Sequence, residues 1–253
     1  MKLYERSPFS NENRSISFGD RIKGVWRFGL SWNRDLQAQD LLIDQIQKAL
    51  DNKFILLRNV TFPNLAMPVP LILIGPPGVK AIYASSVKGV FRAKGENWLS
   101  LDAPKKRYVT VQPNLVKRTF LMSQAVQNYL VRCDILLPGI EPVLFFSQPG
   151  LHVESVQPVT RIIQRDGIDR FVTSILQSPI IMSSSDGQVI ADVLLNSEAN
   201  QPQAGAKHEP QTKKVSGANK KGLKPWQWLL VGLLVLFIFL ALIALIYIFM
   251  MTV

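Results

Sequence analysis

The sequence has few of the residues that build disulfides, metal centres and nucleophilic catalytic sites. It contains one cysteine, Cys133, and two histidines, His152 and His208. A single cysteine excludes an internal disulfide and suits a reducing compartment, and its ordinary role is that of a small apolar residue on a helix. Neither histidine has a second ligand at useful spacing, so we expect no histidine metal site, Ser-His-Asp triad or Cys-His pair.

Signals for export and for ATP binding are also missing. Residues 1–15, MKLYERSPFSNENRS, have no apolar run, so they do not form a secretory signal peptide. The segment LILIGPPGVKA resembles a phosphate-binding loop, but a Walker A motif needs Gly and Lys where this chain has Lys80 and Ala81. The sequence therefore excludes both features.

One stretch near the C-terminus carries no charge. Residues 228–251 read WLLVGLLVLFIFLALIALIYIFMM. As a helix this stretch would extend roughly 36 Å, enough to cross a hydrocarbon core of about 30 Å. The pattern predicts a single C-terminal transmembrane anchor within residues 226–253.

The orientation of that anchor follows from the charges beside it. Lysines precede the apolar stretch, whereas no basic residue follows it. This asymmetry predicts that the N-terminal domain is cytoplasmic. We expect the following residues at the membrane interface: Lys220, Lys221, Lys224, Trp226 and Trp228.

Composition divides the rest of the chain into three zones. Residues 196–225 contain no aromatic residue and few large aliphatic ones, which predicts a flexible basic tether. Residues 35–195 are rich in apolar runs and have the size of one globular domain. Residues 1–34 have weak order signals, and their mixed apolar and basic residues suit either packing on the domain or binding at a bilayer interface, with packing favoured.

Within the globular zone the pattern alternates between helix and strand. We expect Asp35 to cap a helix over about 36–51, and Pro113 to open a second one that ends near Arg132. Apolar runs predict strands at 54–60, 71–74, 79–84, 143–146, 153–156 and 161–163, with 87–93 pairing back on 79–84 as a meander. Two further helices are expected near 168–177 and 187–195, the second with a Ser185…Gln188 capping box. This order predicts an α/β fold with a mixed sheet flanked by helices.

Several of these segments, taken in order, resemble the nuclease-related domain called NERD, a branch of the PD-(D/E)xK nuclease superfamily. The similarity covers roughly residues 36–178, and its segments are FILLRNVTFP, LILIGPPGV with AIYASS, GENW, QPNLVKRTFLMSQAVQNYL and EPVLFFSQPGLHVE. The resemblance implies a restriction-endonuclease-like fold. It also implies a site in which carboxylates and a lysine hold a divalent cation and position a water.

Most of the residues that the resemblance assigns to that site are replaced. The Asp position falls on Pro70, the Glu of the E-x-K motif on Tyr83 and its Lys on Ser85, while Asp40 is the candidate for the helix acid. Since one carboxylate is too few for a hydrolytic metal site, we expect no catalytic residue and no cofactor, and Mg²⁺ only if the site has been rearranged.

Basic residues are concentrated between positions 80 and 118. This stretch contains nine basic residues and only two acidic ones, Glu96 and Asp102, in a chain whose net charge is +11. The basic residues are Lys80, Lys88, Arg92, Lys94, Lys105, Lys106, Arg107, Lys117 and Arg118. They suit binding of nucleic acid, binding of anionic lipid headgroups at the cytoplasmic leaflet, or a solvated face with no ligand.

Two functional hypotheses follow from the sequence. The first is a membrane-tethered pseudoenzyme, a nuclease-related domain that acts as a binding or assembly module on the cytoplasmic face. The alternative is a membrane-associated, metal-dependent nuclease with a rearranged active site. The expected partners are the lipid bilayer and either nucleic acid or another membrane protein, and the sequence leaves the oligomeric state open.

Overall fold

The computed structural model describes residues 1–6, 32–62, 65 and 67–197. All of them fall in one compact unit, Met1–Ala204. The helices are α1 (Trp32–Ala49), α2 (Leu115–Arg132), α3 (Ile168–Gln177) and α4 (Ser184–Leu195). The strands are β1 (Lys2–Glu5), β2 (Ile55–Val60), β3 (Val69–Gly75), β4 (Gly78–Ser85), β5 (Val90–Lys94), β6 (Asn97–Asp102), β7 (Arg107–Thr110), β8 (Ile140–Phe146), β9 (His152–Val156) and β10 (Arg161–Gln164).

The larger sheet is mixed and has six strands in the order β1-β2-β3-β4-β8-β10. Strands β2, β3 and β4 are antiparallel neighbours, whereas β1 pairs parallel with β2, and β8 pairs parallel with both β4 and β10. The apolar runs at 79–84 and 143–146 therefore form interior strands, as predicted. Their residues are buried on both faces of the sheet, which explains why the runs are continuous rather than alternating.

Each face of this sheet has its own core. On one face Leu56, Ile82 and Phe145 pack under α1 and α3. On the other face Leu57 and Ala81 pack under α2, α4 and the smaller sheet. The prediction of an α/β fold with helices on both faces of a mixed sheet is confirmed.

A second, four-stranded sheet has the order β7-β6-β5-β9. It packs on the larger sheet through aromatic rings: Trp98 stacks on Phe91 at a centroid distance of 4.6 Å and on Phe146 of β8 at 5.5 Å. The predicted meander is therefore wrong, because β5 pairs with β6 and β9 and leaves β4 free to pair with β8.

Three predicted helix starts are also wrong. Helix α1 begins at Trp32, so Asp35 lies inside its first turn and cannot cap it. Helix α2 is capped by Asn114, whose side chain accepts a hydrogen bond from the Lys117 amide, rather than opened by Pro113. Helix α4 begins at Ser184, and its capping box joins Ser183 to Asp186. In α4 the predicted box was two residues too late, since serines fill positions 183–185 and each offers the same hydroxyl.

Arg58 on β2 is a buried cation at the N-terminal end of α1. Its side chain is 4% exposed and forms ion pairs with Glu5 at 3.2 Å and Asp40 at 2.8 Å. It also donates hydrogen bonds to the side chain of Gln39 and to the carbonyl oxygen of Leu36. These contacts fix α1 and the edge strand β1 to the same residue of the sheet.

The predicted membrane anchor, the tether beyond residue 197 and the segment 7–31 lie outside the described residues. Within the described part of the chain, no helix is both long enough and apolar enough to cross a bilayer.

Candidate functional site

A cleft of about 340 Å³ opens where β4 ends. The first turn of α1, the chain from Tyr83 to Lys88, strands β5 and β6, and the start of α2 all contribute to its wall. A smaller cavity of about 40 Å³ lies beside it and shares Asp35, Tyr83 and Arg118 with the cleft. We refer to the larger space as the β4 cleft.

The residues assigned to the family site by resemblance divide between these two spaces. Tyr83 lines both, Pro70 lines the smaller cavity and Ser85 lines the β4 cleft. Tyr83 and Ser85 share a face of β4 because they are two residues apart on a strand. Asp40, the fourth residue, lines neither space and is paired with Arg58.

Pro70 also disturbs the sheet beside the smaller cavity. A proline has no amide hydrogen to donate, so the hydrogen-bond ladder between β2 and β3 cannot be continuous at this position. Arg58 pairs with Leu71 and Val60 pairs with Val69, whereas Asn59 between them has a φ of 56°. Asparagine tolerates this left-handed backbone better than most residues.

Asp35 is the carboxylate that lies beside Tyr83. Its Oδ1 accepts hydrogen bonds from the Ser86 amide at 2.9 Å and from the Ser86 hydroxyl at 3.0 Å. These bonds tie the first turn of α1 to the loop after β4. The sequence predicted Asp35 as a helix cap. Its contact with Ser86 could not be predicted, because the two residues are 51 positions apart and no local pattern connects them.

Tyr83 and Arg118 form a pair at the centre of the site. Arg118 Nη1 donates to the Tyr83 hydroxyl at 3.4 Å, and the guanidinium carbon lies 5.9 Å from the centre of the Tyr83 ring. Burial raises the pKa of the Tyr83 phenol above its ordinary value, and the Asp35 carboxylate raises it further, while Arg118 lowers it. The phenol is therefore neutral at physiological pH and can both donate and accept a hydrogen bond.

Three cations of the described part of the chain line the β4 cleft: Arg34, Lys88 and Arg118. Arg34 and Lys88 are exposed and Arg118 is half-buried. Two of the three were among the basic residues that the sequence singled out. Arg34 was missed, because it precedes the predicted domain and becomes part of the cleft only through the first turn of α1.

The remaining basic residues lie elsewhere, and several are paired. Arg92 forms an ion pair with Glu154 at 2.8 Å and stacks over the Tyr108 ring. Lys80 on β4 pairs with Glu141.

On the surface, Lys105 pairs with Asp102 at 3.6 Å and Lys117 pairs with Glu96 at 3.4 Å. Lys94, Lys106 and Arg107 are exposed and do not line the cleft. The structure thus brings Lys88 and Arg118 into one site. Of the others, Lys80 lies on β4 of the larger sheet, and the rest lie on the smaller sheet, in its turns and at the start of α2.

The residues at this site do not suit a divalent metal. Mg²⁺ is held mainly by carboxylates, water and substrate phosphates. Of the residues that the structure describes, the β4 cleft contributes one carboxylate, Asp35, whose Oδ1 already accepts hydrogen bonds from Ser86. Arg34, Lys88 and Arg118 line the same cleft and would repel a cation. Within the described residues, no group of three or more His, Cys, Asp and Glu side chains is arranged to hold a metal ion.

The cleft instead has the positive charge and the donor groups that an anion would require. Its cations and hydroxyl groups surround a space large enough for a small ligand. Neither Cys133, half-buried at the end of α2, nor the exposed His152 on β9 lines the cleft.

Comparison with family models, with curated proteins and with solved structures found no match to this chain.

Proposed function

We propose that this chain is a membrane-tethered, non-catalytic nuclease-related domain that acts as a binding module on the cytoplasmic face. The observation that carries the proposal is the β4 cleft together with the smaller cavity beside it. Tyr83 and Ser85 in the cleft and Pro70 in the cavity stand at the positions that the resemblance assigns to metal-binding groups, and Arg34, Lys88 and Arg118 line the cleft. A site of this charge attracts an anion. Among the described residues the cleft supplies one carboxylate, Asp35, whose Oδ1 already accepts two hydrogen bonds from Ser86, and this supports binding rather than hydrolysis.

The membrane part of the proposal is supported by the sequence. The uncharged stretch 228–251 and the lysines before it suit a single span with the domain in the cytoplasm. Tethering would hold the β4 cleft within reach of the bilayer surface, where anionic lipids and soluble anions are both accessible.

The alternative is a nuclease whose metal site has been rearranged. It would require Asp35 or Asp40 to leave its present partner and to be joined by further carboxylates. Both are already engaged, Asp35 with Ser86 and Asp40 with Arg58, so each would have to lose that contact first. We therefore prefer binding without cleavage.

A cleavage assay tests the non-catalytic part. The full-length chain, purified in a mild detergent, is incubated with single- and double-stranded DNA and with RNA in Mg²⁺ or Mn²⁺. We expect no more cleavage than in a buffer control. Cleavage that is lost in Asp35→Ala or Asp40→Ala would establish a rearranged metal site and overturn the proposal.

A fractionation experiment tests the membrane part. The chain should stay in the membrane pellet after extraction with alkaline carbonate. Protease added outside intact cells should leave the domain undigested. Release by carbonate would refute the span, whereas digestion from outside would refute the orientation.

A further inference from the structure

The charge of the β4 cleft points to a particular class of anion. Among the described residues that line the cleft, Arg34, Lys88 and Arg118 are cations and Asp35 is the one carboxylate, which gives a formal excess of two positive charges. A ligand with two negative charges would neutralise this excess, whereas a singly charged phosphodiester would leave half of it. A phosphomonoester carries about 1.5 to 2 negative charges at neutral pH.

The donors in the cleft are available to such a ligand. Within the described residues the Lys88 ammonium has no ion-pair or hydrogen-bond partner. Arg118 uses Nη1 on the Tyr83 hydroxyl, and a guanidinium has five donor hydrogens in all. Its remaining donors can bind two phosphate oxygens in the geometry that arginine commonly uses for phosphate.

The rest of the cleft suits an organic group rather than a bare ion. Phe91 and Trp98 stack with their planes 9° apart, and both line the cleft together with Val87 and Leu115. Its volume of about 340 Å³ far exceeds what a phosphate group fills and lies within the usual range for small-molecule sites.

We propose that the β4 cleft binds the phosphomonoester group of a small organic ligand. Arg34, Lys88 and Arg118 hold the phosphate, and the organic part lies against Phe91 and Leu115. This inference rests on the proposed function, since the ester must be bound without being hydrolysed. The same chemistry occurs in a soluble nucleoside monophosphate and in the headgroup of phosphatidic acid.

Calorimetric titration of the full-length chain in neutral detergent tests the proposal with matched probes. Adenosine 5′-monophosphate is a monoester and 3′,5′-cyclic adenosine monophosphate is a diester with the same base and sugar. Dioctanoyl phosphatidic acid and dioctanoyl phosphatidylglycerol form the corresponding lipid pair. In at least one pair we expect the monoester to bind at least about tenfold more tightly than the diester, the factor that one charge-assisted hydrogen bond supplies.

Substitutions identify the site. Lys88→Gln removes an exposed charge from the cleft and should weaken monoester binding by about tenfold or more. Lys94→Gln removes the same charge from an exposed position on β5 that does not line the cleft, and it should leave the affinity unchanged. Neither the Lys88 nor the Lys94 ammonium has an ion-pair or hydrogen-bond partner among the described residues, so neither variant should lower the unfolding temperature, which is measured in parallel.

The results separate the possible sources of the ligand. Preference for the nucleotide monoester indicates a soluble ligand, and preference for phosphatidic acid indicates a lipid headgroup. Equal binding of monoester and diester in both pairs, equal losses in Lys88→Gln and Lys94→Gln, or failure of both monoesters to bind would overturn the proposal. Nuclease activity would instead overturn the non-catalytic function, and it is scored in the separate cleavage assay.

Discussion

Removing the two carboxylates that pair with Arg58 should lower the free energy of unfolding more than removing both carboxylates and the arginine charge together. Asp40→Asn or Glu5→Gln alone should lower the free energy of unfolding by about 1 kcal/mol, because each carboxylate is partly exposed and the other still neutralises Arg58. In the double variant the guanidinium, whose side chain is 4% exposed, has no counter-charge among the described residues. Stranding a buried charge in this way costs about 3–5 kcal/mol.

Adding Arg58→Met to the double variant removes the stranded charge and replaces it with an apolar side chain of similar length. The triple variant should regain about 2 kcal/mol or more, although Gln39 and the Leu36 carbonyl lose their donors at a cost of about 1 kcal/mol each. The triple variant is therefore expected to be more stable than the double.

Urea titration of the full-length chain, followed by tryptophan fluorescence, measures these differences. Losses in the double variant that merely equal the sum of the single losses would refute the reasoning, as would a triple variant no more stable than the double. The same series tests the role of Asp40. A metal ligand would give a rise in stability with Mg²⁺ that disappears in Asp40→Asn, whereas we expect no such rise.

Three further predictions concern local features. Gly75→Ala should lower the free energy of unfolding by about 1–3 kcal/mol in urea titration, because the added Cβ would lie 2.2 Å from a ring carbon of Phe54. Gly139→Ala is the control and should be nearly neutral, since a Cβ there would meet no described atom within 4 Å. Ser183→Ala should lower stability by about 1 kcal/mol through loss of the cap. It should also remove the side-chain hydrogen bond that is the main cause of the lowered pKa of Asp186, whereas the backbone amide at position 183 can still donate to that carboxylate. The stability from that lowered pKa is present above pH 3.8 and is lost on further acidification, so thermal unfolding should become less acid-sensitive in Ser183→Ala. Because the pKa of Tyr83 is raised, wild-type stability should fall as the pH rises above 10.0, and Tyr83→Phe should fall less.

The sequence predicted the strands of the larger sheet better than it predicted the smaller one. Strands β4 and β8 were found because their apolar runs are bounded by Gly and Pro. The alternation of apolar and polar residues in 87–93 also corresponds to alternating burial, since Phe91 and Ala93 are buried while Arg92 is half-buried. Alternation shows which face of a strand is buried but not which strand it pairs with, and therefore the second sheet was missed.

The site was predicted in part. Even spacing placed Tyr83 and Ser85 on one face of β4, and both line the cleft. The contributions of Arg34 and Asp35 depend on where α1 begins and on a contact with Ser86, which is far away in the sequence. Helix boundaries are the least certain part of a sequence-based prediction, so these two residues could not be assigned.

The position of β1 at the edge of the larger sheet affects what happens when the first residues are lost. Lys2–Glu5 cover β2, all six of whose residues are buried. Trimming them would expose the backbone amide and carbonyl groups that β2 now pairs with β1, and it would also remove Glu5 as a partner of the buried Arg58. Two trimmed chains could then pair along this edge, and the shortened protein should aggregate as it is produced.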